Sequence, residues 1–289
     1  MIPEVIKSLR PKQWIKNLFL LAPLVFDRQL TNISSLWRTF FGLIIFCILS
    51  SAVYLFNDIL DKKVDANHPT KKNRPIASGK VSIQLAITLG LLLSIGSLLV
   101  SYLLSSTFFS ICTAYLLMNI FYSKWLKHVP IIDVMIVAAG FLLRVAAGVS
   151  LIGVERFSPW LYVVTTLLAL FIGFSKRRAE LSLLASEANS HRSVFEGYSI
   201  EFLDQLITIV SSTTIIAYSL YTFSAPNLPE NYSMMLTIPF VLYGIFRYLY
   251  LVKVKEMGGE PEDLVIKDRP LQITILCWGV SVIVIFYLL

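Results

Sequence analysis

Nine stretches of mostly apolar residues, separated by polar loops, run along the chain. Most of them are apolar on every side for about 18 to 24 residues, the length of helix that crosses a bilayer. A soluble helical protein would show a polar face along most of its helices. The pattern predicts membrane spans at 17–34 (short and interrupted by Pro23), 36–56, 82–104, 107–123, 130–151, 158–176, 202–223, 233–252 and 271–289. The predicted fold class is an all-α integral membrane protein, a bundle of nine transmembrane helices in one domain, 1–289.

Composition and charge agree with this picture. The chain is 56% hydrophobic and only 15% charged, which excludes an ordinary soluble domain. Of its 25 Lys and Arg residues, 20 fall in one alternate set of predicted loops or the adjoining span ends, and 3 fall in the other set. By the positive-inside rule, the N-terminus and the loops 57–81, 177–201 and 253–270 are expected in the cytoplasm, with the C-terminus across a plasma (inner) membrane. The polar, basic first 16 residues do not predict a cleavable signal peptide.

An acidic motif, Asn57-Asp58-x-x-Asp61-x-x-x-Asp65, follows the second span. The spacing i, i+3, i+7 places the three carboxylates on one face if the helix continues. Such a face repels itself unless a cation is bound, and Mg²⁺ prefers oxygen ligands and commonly accompanies a phosphate-bearing substrate. The motif therefore predicts a Mg²⁺ and diphosphate site at the membrane boundary, although a solvated helix end is the alternative.

Basic clusters stand near three predicted cytoplasmic span ends. They are Lys71-Lys72-Asn73-Arg74, Tyr122-Ser123-Lys124-Trp125-Leu126-Lys127 and Lys176-Arg177-Arg178-Ala179-Glu180. Each could hold phosphate oxygens. For the second cluster, an interfacial belt of Tyr, Trp and Lys is the alternative. For the third, the alternative is a topology anchor that binds anionic lipid.

Two charged residues lie inside the fifth span, and their role has two interpretations. Asp133 and Arg144 lie three helical turns apart, and an intramembrane Arg indicates either a functional site or a structural pair between helices.

Small residues also mark the fifth span. Ala138-Ala139-Gly140 and Ala146-Ala147-Gly148 favour close packing of helix backbones, with room for a lipid chain as the alternative. In the last cytoplasmic loop, Gly258-Gly259 suggests a flexible segment or a plain connector.

The acidic motif and the Tyr-Ser-Lys-Trp-Leu-Lys segment, in a nine-span chain, resemble the UbiA-type intramembrane prenyltransferases. The resemblance covers nearly the whole chain. It implies nine helices around a central cavity, with cytoplasmic loops that cap a Mg²⁺ and diphosphate site. It also implies that the lipid chain lies in a groove open to the bilayer.

One segment departs from the ordinary family pattern. Ordinary members carry a second Asp-rich motif after the sixth span, where this chain has Lys176-Arg177-Arg178-Ala179-Glu180-Leu181. With this segment, three further motifs make the chain similar to the decaprenyl-phosphate phosphoribosyltransferase branch: Arg10-Pro-Lys-Gln-Trp-Ile-Lys-Asn17, Arg74-Pro-Ile-Ala-Ser-Gly79 and Lys267-Asp-Arg-Pro-Leu271. In that branch the diphosphate belongs to phosphoribosyl diphosphate, and the lipid monophosphate is the nucleophile.

The resemblance thus implies a Mg²⁺-dependent transfer of 5-phosphoribosyl to a polyprenyl phosphate, for cell-envelope precursor synthesis. The catalytic and metal-binding carboxylates are expected to be Asp58, Asp61 and Asp65, with Asn57 as a further metal ligand. The residues expected to bind the phosphates, the ribose or the lipid headgroup are Lys12, Lys16, Asn17, Arg74, Tyr122, Lys124, Lys127, Lys176, Arg177, Arg178, Glu180, Asp268 and Arg269.

Two alternative functions stay open. One is an ordinary prenyltransferase that moves a chain from a prenyl diphosphate to an aromatic acceptor. The other is a transporter of anionic metabolites, whose usual sign is a pair of broken spans in matching halves; Pro23 and Pro239 do not form such a pair. The expected partners are the bilayer, a polyprenyl phosphate and phosphoribosyl diphosphate, with no nucleic acid. Homo-oligomer formation and lipid chain length are left open.

Overall fold

The computed structural model describes residues 2–67, 71–153, 158–186, 197–226, 228–257 and 261–288, and within these ranges it is helical, with no strand. We number the α-helices in chain order. They are α1 Ile2–Ser8, α2 Ala22–Phe26, α3 Ile33–Leu60, α4 Lys62–Ala66, α5 Ile83–Leu104, α6 Ser106–Lys124, α7 Ile132–Val149, α8 Pro159–Ser186, α9 Ile200–Ser224, α10 Ile238–Lys253, α11 Pro261–Lys267 and α12 Arg269–Tyr287. Four 3₁₀ segments accompany them: Pro11–Leu21, Lys71–Asn73, Leu126–His128 and Ser233–Thr237.

Polar caps set the starts of the long helices. The side chain of Asn32 accepts from the backbone N–H groups of Ser34 and Ser35 at the start of α3. Comparable caps begin four further helices: Ser82 on α5, Ser105 on α6, Ser199 on α9 and Asp268 on α12. Each cap satisfies a backbone donor that the first helical turn leaves without a partner. Each of these helices therefore begins directly after a polar residue.

Within the described residues, seven helical stretches are long and apolar enough to cross a membrane. They are Ile33–Leu60, Ile83–Leu104, Ile132–Val149, Pro159–Ser182, Ile200–Ser224, Ser233–Lys253 and Arg269–Tyr287. Each corresponds to one of the predicted spans. Leu92, Leu99 and Leu103 on α5 are 63%, 63% and 83% exposed, as expected for a surface that faces lipid. The protein is therefore a multi-pass, all-α membrane protein.

The predicted first span, 17–34, is wrong at both ends. Helical backbone starts at Pro11 as a 3₁₀ helix, continues through α2 and stops at Phe26. Pro23 does not interrupt it, because proline is tolerated in the first turn of α2. The chain turns shortly after, at Arg28, whose φ of 55° lies in the left-handed region. The next helix then begins at Ile33.

Two predicted loops begin later than expected, because the preceding helices continue past the apolar residues. Helix α3 runs on to Leu60 and is followed after one residue by α4. Helix α8 continues to Ser186, so that 176–180 lie within the helix and not beyond its end. Straight-chain Lys, Arg and Glu are good helix formers, which explains why a change to polar residues does not end the helix.

The chain divides into two compact units. Unit 1 comprises Met1–Leu24, Gln29–Ile136 and Leu143–Gly153, and its core includes Leu20, Phe46, Phe108 and Leu151. The 3₁₀ helix packs along α3 in this unit. Because 3₁₀ geometry aligns residues three apart, one face carries Trp14, Asn17 and Leu20. Trp14 donates to Ser51 Oγ at 2.9 Å and Asn17 to Ser50 Oγ at 3.1 Å, while Leu20 is fully buried.

Unit 2 comprises Val25–Arg28, Val137–Leu142 and Val154–Leu289. Helix α8 packs on α9, and α10 packs on α12. The buried core of unit 2 includes Tyr218, Tyr221, Met234 and Phe286. Tyr218 Oη lies 2.6 Å from Thr237 Oγ1 and accepts from Trp278 Nε1 at 2.7 Å, so the buried phenol group has partners.

Candidate active site

The three aspartates of the acidic motif are brought together in unit 1 at the α3–α4 junction. Although Asp61 lies between the two helices, backbone hydrogen bonds of helical spacing continue through it. Asp61 N donates to Asn57 O at 2.9 Å, and Asp65 N donates to Asp61 O at 2.8 Å. The helical register is thereby kept across the break. Asp58, Asp61 and Asp65 are all buried, with 2%, 7% and 1% of their surface exposed.

Each of the three carboxylates contacts a cation. Arg10 forms an ion pair with Asp58, and Lys127 forms one with Asp61. Arg74 Nη1 lies 2.6 Å from Asp65 Oδ2 and 3.4 Å from Asp58 Oδ1. Arg74 and Lys127 were predicted to belong to the site, and the structure brings both of them to it. The result is a compact cluster of three carboxylates and three cations, which we call the acid–base cluster.

The acid–base cluster has the donor chemistry that Mg²⁺ requires. Its carboxylate oxygens are ligands that this hard cation prefers. Asp65 Oδ1 is buried without a hydrogen-bond partner, so one ligand oxygen is already available. Among the described residues no group of three or more His, Cys, Asp or Glu side chains surrounds a common metal position. The residues suit the metal, and the carboxylates must turn from their cations toward a shared ion to bind it.

Asn57 connects the acid–base cluster to helix α6. Its Nδ2 donates to Asp61 Oδ2 at 3.1 Å, and its Oδ1 accepts from Ser123 Oγ on α6 at 3.1 Å. Ser123 was not among the predicted site residues. Its place between Tyr122 and Lys124, in a motif already singled out, was the available sequence signal.

Arg10 is the second residue that sequence reasoning did not assign to the site. It precedes the 3₁₀ helix in the left-handed conformation, with φ 52° and ψ 58°, which an arginine adopts at a cost. Its guanidinium lies over the ring of Tyr54, 5.0 Å from the ring centroid. Neighbouring contacts hold it there, since Ser51 Oγ donates to the Leu9 carbonyl at 2.9 Å. Its position in the motif that begins at Arg10 was the signal.

Asn17, a predicted substrate ligand, lies in a buried network. It is fully buried, and its Oδ1 accepts from Arg144 Nε at 2.8 Å. Arg144 also donates to Tyr115 Oη at 2.9 Å. Asp133 is eleven residues away on α7, a rise of about 16 Å, which is too far for a direct pair with Arg144 on that helix. The structure therefore favours the structural interpretation of Arg144, with Asn17 and Tyr115 as its partners.

The remaining predicted residues of unit 1 lie closer to its surface. Lys12 and Lys124 are exposed, and Lys16 and Tyr122 are half-buried. Lys124 Nζ lies 4.3 Å from the centroid of the Trp125 ring. That contact fits the interfacial belt that was the alternative interpretation of this segment.

The basic segment of unit 2 separates into two different arrangements. Arg177 Nη1 binds Glu180 Oε2 at 2.6 Å, the i, i+3 pair that the helical spacing indicates, and Arg177 is buried. Arg178 points elsewhere, and its Nε binds Asp204 Oδ1 on α9 at 2.9 Å. Lys253 of α10 binds the same oxygen at 2.9 Å. Asp204 therefore connects α9 to Arg178 on α8 and to Lys253 on α10. Lys176 is half-buried.

Asp268 forms an ion pair and caps a helix in unit 2. Arg247 binds it with two contacts, Nε to Oδ1 at 3.2 Å and Nη2 to Oδ2 at 2.8 Å. Asp268 Oδ1 also accepts from Leu271 N at 2.9 Å, which caps α12. These hydrogen bonds, led by those from Arg247, hold the pKa of Asp268 below its ordinary value. Arg269 is exposed, and the Gly258-Gly259 pair lies outside the described residues.

Comparison with known proteins places these features in a family. The model of the UbiA prenyltransferase family matches residues 29–260. The decaprenyl-phosphate phosphoribosyltransferase of Mycolicibacterium smegmatis is 32% identical, and the alignment covers 96% of this chain and 91% of that protein. The enzyme of the same name from Corynebacterium glutamicum is 30% identical, over 99% of this chain and 87% of that protein.

The fold is also similar to solved structures. A UbiA homologue from Archaeoglobus fulgidus bound to DMAPP and Mg²⁺ superposes with a TM-score of 0.75 at 18% identity, covering 99% of this chain and 100% of that one. At that identity the likeness concerns the fold alone. With a family match over most of the sequence and relatives aligned along nearly its whole length, the chain belongs to the UbiA prenyltransferase family.

Proposed function

We propose that this protein transfers the 5-phosphoribosyl group of phosphoribosyl diphosphate to a polyprenyl monophosphate and releases diphosphate. The observation that carries the proposal is the 32% identity to a decaprenyl-phosphate phosphoribosyltransferase along nearly the full length of both chains. The acid–base cluster agrees with it, because a substrate with several phosphates needs cations as well as metal-binding carboxylates. The basic segment of α8 adds cations in place of a second acidic motif.

The chemistry is a substitution at the ribose C1 atom. The bond from C1 to a diphosphate oxygen breaks, and its electron pair leaves with the diphosphate. A lipid phosphate oxygen forms the new bond to C1. The ribose carries positive charge in between, as in glycosyl transfer generally. Because the lipid phosphate is already anionic at neutral pH, the reaction needs no strong general base.

In the acid–base cluster, the carboxylates would bind the metal and the cations would bind the phosphates. Asp58, Asp61 and Asp65 would hold Mg²⁺, which supplies charge neutralisation at the leaving diphosphate. As the donor binds, Arg10, Arg74 and Lys127 exchange their carboxylate partners for phosphate oxygens, a stronger charge-assisted contact for a multiply charged group. Arg177 is our first choice for a phosphate ligand in unit 2, because its neighbour Glu180 can hold it in place.

The proposed topology has nine spans with the acid–base cluster on the cytoplasmic side. Helix α6 has 19 residues and reaches about 28 Å. The segment 11–26 also reaches about 30 Å despite its 16 residues, because a 3₁₀ helix rises about 2.0 Å per residue. These two complete the set of nine. The distribution of Lys and Arg between the loops supports the orientation in a plasma membrane.

Product analysis tests the proposed function. Purified protein is incubated with polyprenyl phosphate, phosphoribosyl diphosphate and Mg²⁺, and the lipid products are identified by mass spectrometry. The expected product is the lipid phosphate with an added phosphoribosyl group, formed only with all three components. A parallel reaction with a prenyl diphosphate and 4-hydroxybenzoate tests the prenyltransferase alternative. Prenylation there, without ribosylated lipid in the first reaction, would overturn the proposal.

A further inference from the structure

The hydroxyl group of Ser123 makes an unusual contact for a serine in a helix. On the same helix, Ser110 and Thr113 donate to backbone carbonyls four residues back, at 3.0 and 2.9 Å. This is the usual arrangement for hydroxyl groups in helices. Ser123 instead donates across the unit to Asn57 Oδ1 at 3.1 Å. The side chain is buried, with 5% of its surface exposed, so this hydrogen bond is made away from solvent.

The chemistry of the groups fixes the direction of every hydrogen bond in this chain of contacts. Lys127 can only donate, and the ionised Asp61 carboxylate can only accept. Asn57 must therefore present its Nδ2 group to Asp61, since its oxygen would be repelled there. That orientation turns Asn57 Oδ1 toward α6, where this buried acceptor needs a donor. The hydroxyl group of Ser123 supplies it.

We infer that Ser123 is a positioning residue for the acid–base cluster: it donates to the Asn57 amide oxygen and so holds this side chain in the place from which it donates to Asp61. The inference rests on the proposed function. Without the hydroxyl group, Asn57 Oδ1 loses its donor away from solvent, and the side chain would rotate to find another one. An amide that rotates in this way withdraws its hydrogen bond from Asp61 Oδ2 and disturbs the carboxylate that we propose binds the metal. Ser123 itself touches neither metal nor substrate.

A metal-binding measurement tests this role independently of turnover. Mn²⁺ replaces Mg²⁺, and electron paramagnetic resonance measures the free ion as purified protein is titrated in the presence of phosphoribosyl diphosphate. We expect Ser123→Ala to weaken Mn²⁺ binding about 5-fold, which corresponds to about 1 kcal/mol and is the value of one hydrogen bond. Ser123→Thr keeps the hydroxyl group and should bind within about 2-fold of the parent. Ser110→Ala is the matched control on α6 and should bind as the parent does.

A double-mutant cycle separates positioning from a general loss of structure. If Ser123 acts through the amide, Ser123→Ala has no further effect on Mn²⁺ binding once Asn57 is replaced by Ala. Equal effects in both backgrounds would show a merely structural role and overturn the inference. So would parental binding by Ser123→Ala. If the parent itself fails to bind Mn²⁺ with phosphoribosyl diphosphate, the proposed function fails, and this inference falls with it.

Discussion

The carbonyl oxygen of Leu20 occupies the space that a side chain on Gly148 would need. A Cβ atom built on Gly148 would lie 2.1 Å from this oxygen and 3.1 Å from Cδ of Pro23. The backbone at Leu20 therefore lies directly against the backbone of α7 in unit 1. The Ala-Ala-Gly pattern was expected to allow such an approach, and the packing interpretation is confirmed at this position.

Replacing Gly148 by alanine should destabilise the protein. The obstructing atom belongs to the backbone and cannot turn aside, so we expect a loss of about 2 kcal/mol or more, within the range for overpacked cores. The thermal midpoint in detergent measures it. Gly96→Ala on α5 is the matched control, because a Cβ there meets nothing within 4 Å. The control should be neutral or stabilising, since alanine favours helix over glycine. A Gly148→Ala midpoint equal to that of the control would contradict the packing described.

Removing the charge of Asp61 should remove most of the activity. Asp61→Asn keeps the size of the side chain but lowers its ability to bind a metal. We expect the rate to fall about 100-fold or more, because the metal contributes several kcal/mol of charge stabilisation. Product formation in saturating Mg²⁺ provides the measurement, with the thermal midpoint as a check on folding. Full activity of this variant, or full activity of the parent in excess chelator, would refute the metal model.

Replacing Lys127 should change the affinity for the metal and the affinity for phosphoribosyl diphosphate in opposite directions. Lys127→Met removes the cation that neutralises Asp61 and leaves the carboxylate free. Binding of Mn²⁺ alone should therefore tighten by about 3-fold or more, whereas binding of phosphoribosyl diphosphate should weaken by about 10-fold. The two affinities are measured separately on the same preparation. Parallel losses of both would mean that Lys127 supports the cluster only structurally.

Arg177 and Arg178 should respond differently to replacement by lysine. Arg177→Lys keeps the charge but loses the planar fork, and we expect about 10-fold weaker binding of phosphoribosyl diphosphate, or roughly 1.4 kcal/mol. Arg178→Lys should change that affinity by less than about 2-fold, because Arg178 is engaged with Asp204 and not with a phosphate. Isothermal titration calorimetry on both variants gives the comparison. If Arg177→Lys binds like the parent, the segment is an anchor and not a phosphate site.

Asp268 predicts a pH dependence of stability. Its pKa is lower in the folded protein than in the unfolded chain, where it is about 3.9. The ionised carboxylate therefore contributes its full stabilisation of the fold above the unfolded pKa, and this stabilisation is lost as pH falls through the lower folded pKa. The thermal midpoint of the parent should exceed that of Asp268→Asn at pH 6, and the difference should shrink below about pH 4. Asparagine keeps the helix cap, whereas Asp268→Ala should lose about 1 kcal/mol more. If the difference between the two thermal midpoints did not change with pH, the ion pair between Arg247 and Asp268 would not contribute to stability.

The apolar pattern and the acidic motif predicted the parts of this protein that depend on local spacing. Span positions, the common site of Asp58, Asp61 and Asp65, and the Arg177–Glu180 pair all follow from helical periodicity. Arg10 and Ser123 could not be assigned in this way, because their partners are 48 and 66 positions away. The same holds for Arg144, whose partners Asn17 and Tyr115 are brought to it by tertiary packing.

The period of the first helical segment could not be predicted from the sequence either. Lys12 and Lys16 are four apart, a spacing that aligns residues on an α-helix. In the observed 3₁₀ helix they lie about 120° apart, and residues three apart align instead. Nothing in the local sequence indicates an 11-residue 3₁₀ helix, because its stability comes from contacts with α3.

The three-residue period of Pro11–Leu21 makes the length of this segment a strict requirement. One inserted residue would rotate everything upstream by about 120° relative to α3. Trp14 would then leave Ser51, and Arg10 would be carried away from Asp58. Substitutions on the exposed sides of the segment leave this alignment unchanged. The outer sides of this 3₁₀ helix can therefore vary in composition, but the number of residues between Arg10, which pairs with Asp58, and the buried Leu20 is fixed.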